Sequence, residues 1–265
     1  MKLAIFYHHI CKAAEETGRS IPEILHEMKE EGIEGIEFNI LDAREPVLSF
    51  LKNEGLAVSS IYAYVPVYNG DAEEGFALVD RACAVGCKTV MVVPGKIPED
   101  MEKAEALKHS MEPLRRIAEY GAQRGVTVTV EDYDGKRPLF STSEDMLFFG
   151  NELPELFYTY DSGNFYTVED PLSAFEALKQ KIRHVHLKDI SHTAIEGCAD
   201  ARQLRSGDMV YDVPFGYGEL PCAEILKRLR EIGYKGYICL EHNAIAMMNA
   251  NLLAVRWTKN IDQNL

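Results

Sequence analysis

Long apolar runs are absent from the sequence. A helix that crosses a bilayer needs about 18 or more consecutive apolar residues, and no stretch of this chain approaches that length. The opening residues MKLAIFYHHICKAAEE contain only a short apolar run before two histidines, which is too short for the apolar core of a signal peptide. This run favours a first β-strand instead. We therefore expect a cytoplasmic protein that has no membrane partner.

Cysteine pairs of the C-x-x-C type are also missing. The six cysteines lie at positions 11, 83, 87, 198, 222 and 239. Cys83 and Cys87 are four residues apart, a spacing that fits one face of a helix. The pattern indicates reduced, mostly buried thiols in a reducing compartment.

Basic residues are scarce relative to acidic ones. The chain has 28 Lys and Arg against 42 Asp and Glu, which gives a net charge of -14 with histidine neutral. Such a surface repels phosphate backbones, so we expect no nucleic-acid partner. The 46% hydrophobic and 26% charged residues are typical of a globular protein, and a chain of 265 residues fits a single α/β barrel.

Short segments rich in Val, Ile, Tyr and Thr alternate with helical patterns along the chain. We predict eight strands, at 2–7, 35–38, 57–64, 88–93, 126–131, 156–161, 184–188 and 236–241. The amphipathic segments between them end on glycines, which favour the left-handed conformation that follows a helix. This alternation predicts an α/β fold, a single (β/α)8 TIM barrel that forms one domain over 1–265. Residues 190–219 form the long irregular segment of this scheme, which we interpret as functional or mobile.

The segment HVHLKDI at 184–190 alternates polar and apolar side chains. Val185 and Leu187 suit a buried face, so His184, His186 and Lys188 share the opposite face. We interpret His184 as an interior histidine. Lys188 is equally consistent with an ion pair to a nearby acid and with a substrate contact.

Four consecutive predicted strands end with metal-competent side chains. By strand parity Glu131, Asp161, His186 and Glu241 face the barrel axis at the carboxyl ends of the strands, where barrels of this type place catalytic residues. Converging carboxylates cost several kcal/mol unless they are paired or bound to a cation. Three carboxylates and one imidazole suit Mn²⁺, Mg²⁺ or Zn²⁺, so we predict one divalent metal ion at this rim.

Several motifs resemble one known family in order along the whole chain. They are GIEGIEF, VTVEDYD, YDSGNF, HVHLKD, VPFGYGEL and LKRLREIGYKGYICLEHN. The sequence is similar to the xylose isomerase-like TIM barrels, which include sugar and sugar phosphate isomerases and epimerases, inosose isomerases and dehydratases, and endonuclease IV. The resemblance implies that the same four residues bind the metal and that Glu131 and Glu241 are the catalytic acid/base pair. It also implies a substrate pocket lined by Glu37, Tyr62, Tyr64 and Lys188.

The sequence departs from this family at two positions. Many members have a histidine three residues after the aspartate of the sixth strand, where this chain has Asn164. An amide hydrogen-bonds a substrate hydroxyl but does not become a cation, which argues against anion binding there. The arginine that some epimerases carry before the G-x-G loop is not found, since Asp212 is nearest, and we consider Arg202 and Arg205 as substitutes.

We therefore expect a metal-dependent isomerase or epimerase that acts on a sugar, a sugar phosphate or a cyclitol through an enediolate intermediate. One alternative is a dehydratase or lyase, in which Lys188 or a tyrosine protonates a leaving hydroxyl. A second is an endonuclease IV-type nuclease, which needs more histidine ligands than His8, His9 and His109 readily supply. A third is a non-catalytic sugar-binding barrel. The resemblance also makes a homodimer or homotetramer plausible.

Overall fold

The computed structural model describes residues 1–265. Its strands are β1 (Lys2–Phe6), β2 (Ile33–Asn39), β3 (Ala57–Tyr64), β4 (Thr89–Val93), β5 (Thr127–Glu131), β6 (Leu156–Asp161), β7 (Ile182–Ser191), β8 (Arg202–Gln203), β9 (Met209–Val213) and β10 (Tyr237–Glu241). Its helices are α1 (Tyr7–Thr17), α2 (Ile21–Glu31), α3 (Val47–Glu54), α4 (Glu73–Val85), α5 (Lys103–Gln123), α6 (Ser143–Gly150), α7 (Ser162–Tyr166), α8 (Pro171–Leu178), α9 (Cys222–Glu231) and α10 (Met247–Asn264). A short 3₁₀ helix covers Val67–Asn69.

The main sheet is a closed ring of eight strands. Strands β1 to β7 follow one another in sequence order, and β10 pairs with both β1 and β7. The pairing of β10 with β7 is parallel and aligns Glu241 with Lys188. The chain is therefore a single (β/α)8 TIM barrel, as the alternation of strand and helix patterns predicted. All eight predicted barrel strands are present, with ends that differ by a few residues.

The chain divides into two compact units. The first comprises residues 1–38, 42–58 and 185–265, and the second comprises residues 39–41 and 59–184. Within the first unit, β1 pairs in parallel with β2 and β10, and α1 packs against α2 and α10. Within the second unit, β3 to β6 pair in sequence order, and α5 packs against α4 and β5.

The barrel strands are buried on both faces, which is typical of parallel sheets. On β5, Val128, Thr129 and Val130 have no exposed surface, although they point alternately to the two sides. The Thr129 hydroxyl donates to the carbonyl of Val90 at 3.0 Å and lies 2.8 Å from the hydroxyl of Thr159. The hydroxyls of Thr129 and Thr159 are therefore paired inside the barrel.

The helix boundaries follow the sequence signals. Ser20 and Glu23 form a capping box at the start of α2, and Gly32 ends that helix with φ 108°. Gly55 and Gly86 end α3 and α4 in the same left-handed conformation. None of the ten helices combines the length and the apolar composition that a membrane-spanning helix requires.

The prediction that 190–219 is irregular was wrong for part of the segment. Strand β7 continues to Ser191, and β9 pairs with it antiparallel, so that Ser191 lies opposite Tyr211. Strand β8 then pairs with β9 to form a small hairpin. Strand β8 has only two residues, too few for a periodic signal, and the pairing of β9 with β7 depends on tertiary structure.

Candidate metal centre

Four metal-competent side chains lie at or near the carboxyl ends of barrel strands. Glu131 ends β5, Asp161 ends β6 and Glu241 ends β10, whereas His186 lies within the longer β7. Each offers one ligand atom, and these atoms all lie within 4.8 Å of one another. Asp161 and His186 are buried, while Glu131 and Glu241 are partly exposed. The two glutamates are therefore the members of this group that a substrate can reach.

The two ring nitrogens of His186 face different carboxylates. Nε2 lies 3.2 Å from both oxygens of Glu37, and Nδ1 lies 3.4 Å from Oε2 of Glu241. The ring of Phe6 meets the imidazole edge-on, with 5.0 Å between the ring centroids. Phe6, Glu37 and His186 are all buried, so the imidazole is held in one orientation by its surroundings.

Glu241 forms a close ion pair with Lys188. The Lys188 Nζ lies 2.7 Å from Oε1 of Glu241, and the Lys188 side chain is mostly buried. Burial alone would raise the pKa of Glu241, but the neighbouring Lys188 ammonium and the His186 ring outweigh it and hold that pKa below its usual range. Glu241 is therefore an ionised carboxylate at neutral pH, able to bind a cation or accept a proton.

Asp161 is both a strand end and a helix cap. Its Oδ1 accepts hydrogen bonds from the backbone N–H groups of Gly163 at 2.8 Å and Asn164 at 2.9 Å, which begins α7. The Asn164 side chain in turn donates from Nδ2 to the carbonyl of Asp132 at 2.8 Å and is buried. The Asn164 side chain thus tethers the loop after β5, and a substrate contact through Asn164 stays a prediction.

The donor set fits a hard divalent cation. Carboxylate oxygens and one imidazole nitrogen are ligands that Mn²⁺, Mg²⁺ and Zn²⁺ accept in proteins. The burial of Asp161 and His186 limits competition from water at this group. A cation would also remove the repulsion among the three carboxylates, which is costly in a partly buried group.

The remaining predicted pocket residues lie in different environments. On β3, Tyr62 is half-buried and Tyr64 is 62% exposed. Arg205 lies exposed in the turn between β8 and β9. Arg202, one of the two arginines considered as substitutes, donates from Nε to Oδ1 of Asp212 at 2.9 Å. Asp212 is the residue nearest to the position of the arginine that some epimerases carry.

Sequence reasoning missed Asp189, a buried carboxylate that organises the loop after β9. Its oxygens accept hydrogen bonds from the backbone N–H groups of Ile190, Gly216, Gly218 and Leu220 and from the thiol of Cys222, at 2.8–3.2 Å. A Cβ on Gly218 would lie 2.3 Å from Oδ1 of Asp189. The G-x-G pattern and the Asp that follows HVHLK were the available signals, although nothing in the sequence linked them.

The histidines considered for a nuclease do not share one environment. His9 is buried, and its Nδ1 lies 3.1 Å from Oδ1 of Asn251, whereas His109 is exposed within α5. His8 lies at the start of α1, close enough to Glu241 and Glu37 for both carboxylates to favour its charged form. Burial outweighs them and lowers the pKa of His8. His8 is thus a neighbour of the site that the sequence alone assigned only as a possible nuclease ligand.

A family model for the xylose isomerase-like TIM barrel matches residues 25–261. The chain belongs to this family. Among curated relatives, an inosose dehydratase of Clostridium botulinum is 26% identical over 156 residues, which are 57% of this chain and 50% of that protein. The chain spans about half the length of the curated relatives that it matches.

Solved structures of this family share the fold. The probable 3-DHS dehydratase AsbF of Bacillus anthracis superposes with a TM-score of 0.74 at 21% identity and 98% and 99% coverage of the two chains. D-psicose 3-epimerase of Clostridium cellulolyticum H10, with D-tagatose, superposes with a TM-score of 0.74 at 14% identity and the same coverage. A xylose isomerase-like TIM barrel protein of Mycobacterium smegmatis in complex with magnesium superposes with a TM-score of 0.66 at 17% identity. The match covers 91% of this chain and 87% of that one. Family members thus include epimerases, dehydratases and a protein that binds a divalent metal.

Proposed function

We propose that this protein is a divalent-metal-dependent isomerase or epimerase that acts on a sugar, a sugar phosphate or a cyclitol. The convergence of Glu131, Asp161, His186 and Glu241 within 4.8 Å carries this proposal. An epimerase with D-tagatose among the structural neighbours supports the substrate class. At 14% identity this likeness supports the fold alone. The proposed chemistry is therefore argued from the side chains of this chain.

The four residues would hold one cation, and the chemistry that it supplies when bound is polarisation of a substrate carbonyl and its adjacent hydroxyl. The protein side chains carry the proton transfers. Glu131 and Glu241 are the two partly exposed carboxylates of the group. One of them removes the proton from the carbon next to the carbonyl, and the other returns a proton.

The place where the proton returns decides the reaction. Return to the opposite face of the same carbon gives epimerisation, and return to the neighbouring carbon gives aldose–ketose isomerisation. Lys188 supports either outcome because its ammonium keeps the Glu241 carboxylate ionised. Tyr62 and Tyr64 of β3 are proposed to contact the substrate, and Arg205 stays a predicted contact from the loop.

A dehydratase is the second candidate function, and the position of Lys188 favours it. Its ammonium lies 2.7 Å from the Glu241 carboxylate, so it borders the proposed site and could supply the proton that a leaving hydroxyl needs. The curated relative named inosose dehydratase supports this alternative. The two functions share the first proton abstraction and differ only in the fate of the intermediate.

One experiment tests the shared step. The metal content of the desalted protein is measured, the stripped protein is reloaded with Mn²⁺, Mg²⁺ or Zn²⁺, and a panel of ketoses and inososes is incubated with it in D₂O. We expect one divalent ion per chain and incorporation of solvent deuterium next to a carbonyl. Glu241→Gln should abolish exchange, whereas Glu224→Gln on the exposed face of α9 should retain it.

The products separate the alternatives. A product of unchanged composition identifies an isomerase or epimerase, and loss of one water identifies a dehydratase. Several zinc ions per chain with cleavage of abasic DNA would instead indicate a nuclease. Failure to retain or take up any metal would contradict the proposal and favour a sugar-binding barrel without catalysis.

A further inference from the structure

We propose that Glu37 is a positioning residue for the metal centre, whose carboxylate fixes the tautomer and the ring orientation of His186. This role differs from the place in the substrate pocket that the family resemblance implied, because Glu37 has no exposed surface. The inference rests on the proposed function, since that function requires His186 to be a metal ligand.

The hydrogen-bond geometry determines which ring nitrogen carries the proton. A carboxylate only accepts hydrogen bonds, and both oxygens of Glu37 lie 3.2 Å from Nε2 of His186. An imidazole that binds a metal is neutral, so in that form Nε2 keeps the proton that it shares with Glu37, and the lone pair is on Nδ1. This Nδ1 atom faces Glu241, at 3.4 Å from Oε2. Histidine ligands of metals commonly donate their second N–H to a carboxylate in this way.

Burial makes this choice of tautomer strict. Glu37 is 0% exposed and His186 is 1% exposed, so water does not compete for Nε2. Strand β2 carries Glu37, and strand β7 carries His186. Strands β1 and β10 lie between these two strands in the closed ring. Phe6 of β1 covers the imidazole from the side. The contact thus joins two strands that do not pair, through the interior of the barrel.

A deeper metal site is the competing interpretation of these contacts. The ligand atoms of Glu37, His186 and Cys239 also lie within 4.8 Å of one another, and all three residues are buried. A cation at this deeper site would require Nε2 of His186 to lose its proton and its hydrogen bond to the Glu37 carboxylate. The tautomer argument therefore favours the group at the strand ends, and Cys239 distinguishes the two sites because only the deeper one includes it.

The test combines nitrogen NMR of the imidazole with metal titration. In the stripped protein labelled with ¹⁵N-histidine, at a pH at which the imidazole is neutral, we expect His186 as the Nε2–H tautomer. In Glu37→Gln the amide can donate as well as accept, so we expect a mixture of tautomers. The affinity for Mn²⁺ should fall roughly 10- to 100-fold. Glu34→Gln removes the same charge from an exposed position on the same strand and should leave both readouts unchanged.

Two further variants keep the inference falsifiable. Glu37→Asp retains a carboxylate, so it should preserve the Nε2–H tautomer with an intermediate affinity, even if Glu37→Gln folds poorly. Cys239→Ser should leave the affinity unchanged, and an equal loss in Cys239→Ser would overturn the inference in favour of the deeper site. An Nδ1–H tautomer in the unmodified protein would also overturn it. Absence of metal binding with the expected tautomer would instead count against the proposed function.

Discussion

The Nζ atom of Lys188 lies 2.7 Å from Oε1 of Glu241. The two residues are directly opposite each other on the parallel pair β7 and β10, so strand register alone brings them together. Of the two roles that the sequence allowed for Lys188, the structure shows the ion pair. Glu241 thereby gains a fixed orientation and a lowered pKa, both of which suit a metal ligand that also exchanges protons.

Replacing Lys188 tests the value of this ion pair. In Lys188→Met the Glu241 carboxylate loses its ammonium partner. The substrate is the one that the deuterium-exchange experiment identifies, and we expect its turnover to fall by about 10²-fold or more. Lys188→Arg keeps the cation and should retain more activity than Lys188→Met. Steady-state kinetics of both variants provide the measurement. Equal activity in Lys188→Met and the unmodified protein would show that the ion pair has no part in the proposed reaction.

Asp189 should be a main determinant of stability in the loop that follows β9. Asp189→Asn replaces one acceptor oxygen with an NH₂ group, which then faces backbone N–H donors such as those of Gly216 and Gly218. We expect a loss of about 2–4 kcal/mol in the free energy of unfolding, as for other broken buried networks. Urea denaturation measures it. Asp200→Asn, at an exposed position, is the matched control, and a similarly small change in both variants would contradict the prediction.

The barrel and the grouping of the four candidate ligands were predictable for a simple reason. Strand residues alternate between two faces, and the carboxyl ends of parallel strands meet at one rim. Glu131, Asp161 and Glu241 each end a strand, so parity alone placed them at this rim. No knowledge of side-chain contacts between distant strands was needed.

The roles of single residues were less predictable because they depend on distant partners. Glu37 and His186 are 149 residues apart, and only the closed ring brings the carboxylate to Nε2. Asn164 bonds a carbonyl 32 residues away, which no local pattern encodes. The β8–β9 hairpin was missed for a similar reason, since its pairing with β7 depends on tertiary structure rather than on its own periodicity.

Two buried histidines should make the protein sensitive to acid. His9 and His242 both donate to Oδ1 of Asn251, and burial lowers the pKa of His9 well below its ordinary value and that of His242 to about 4. Below pH 6.5 the unfolded chain therefore binds more protons than the folded one, so stability falls as the pH falls from about 6.5 to about 4. For His242 alone the loss is about 3 kcal/mol.

The measurement is the free energy of unfolding by urea at several pH values. His9→Gln removes one of the two suppressed imidazoles, so its stability should depend less steeply on pH in this range. His109→Gln, which changes an exposed histidine of α5, should keep the slope of the unmodified protein. Identical slopes in all three proteins would show that the buried pair does not control the acid response.

Metal binding should stabilise the fold through Asp161. A ligand that binds only the folded state adds about 2.7 kcal/mol at a concentration one hundred times its dissociation constant, so Mn²⁺ should raise the unfolding free energy of the stripped protein by this order. In Asp161→Asn the amide oxygen can still accept the N–H groups of Gly163 and Asn164 and cap α7. The variant should therefore fold without metal but gain much less from Mn²⁺. An equal gain in both proteins would place the cation away from Asp161, since the substitution removes a ligand charge and little else.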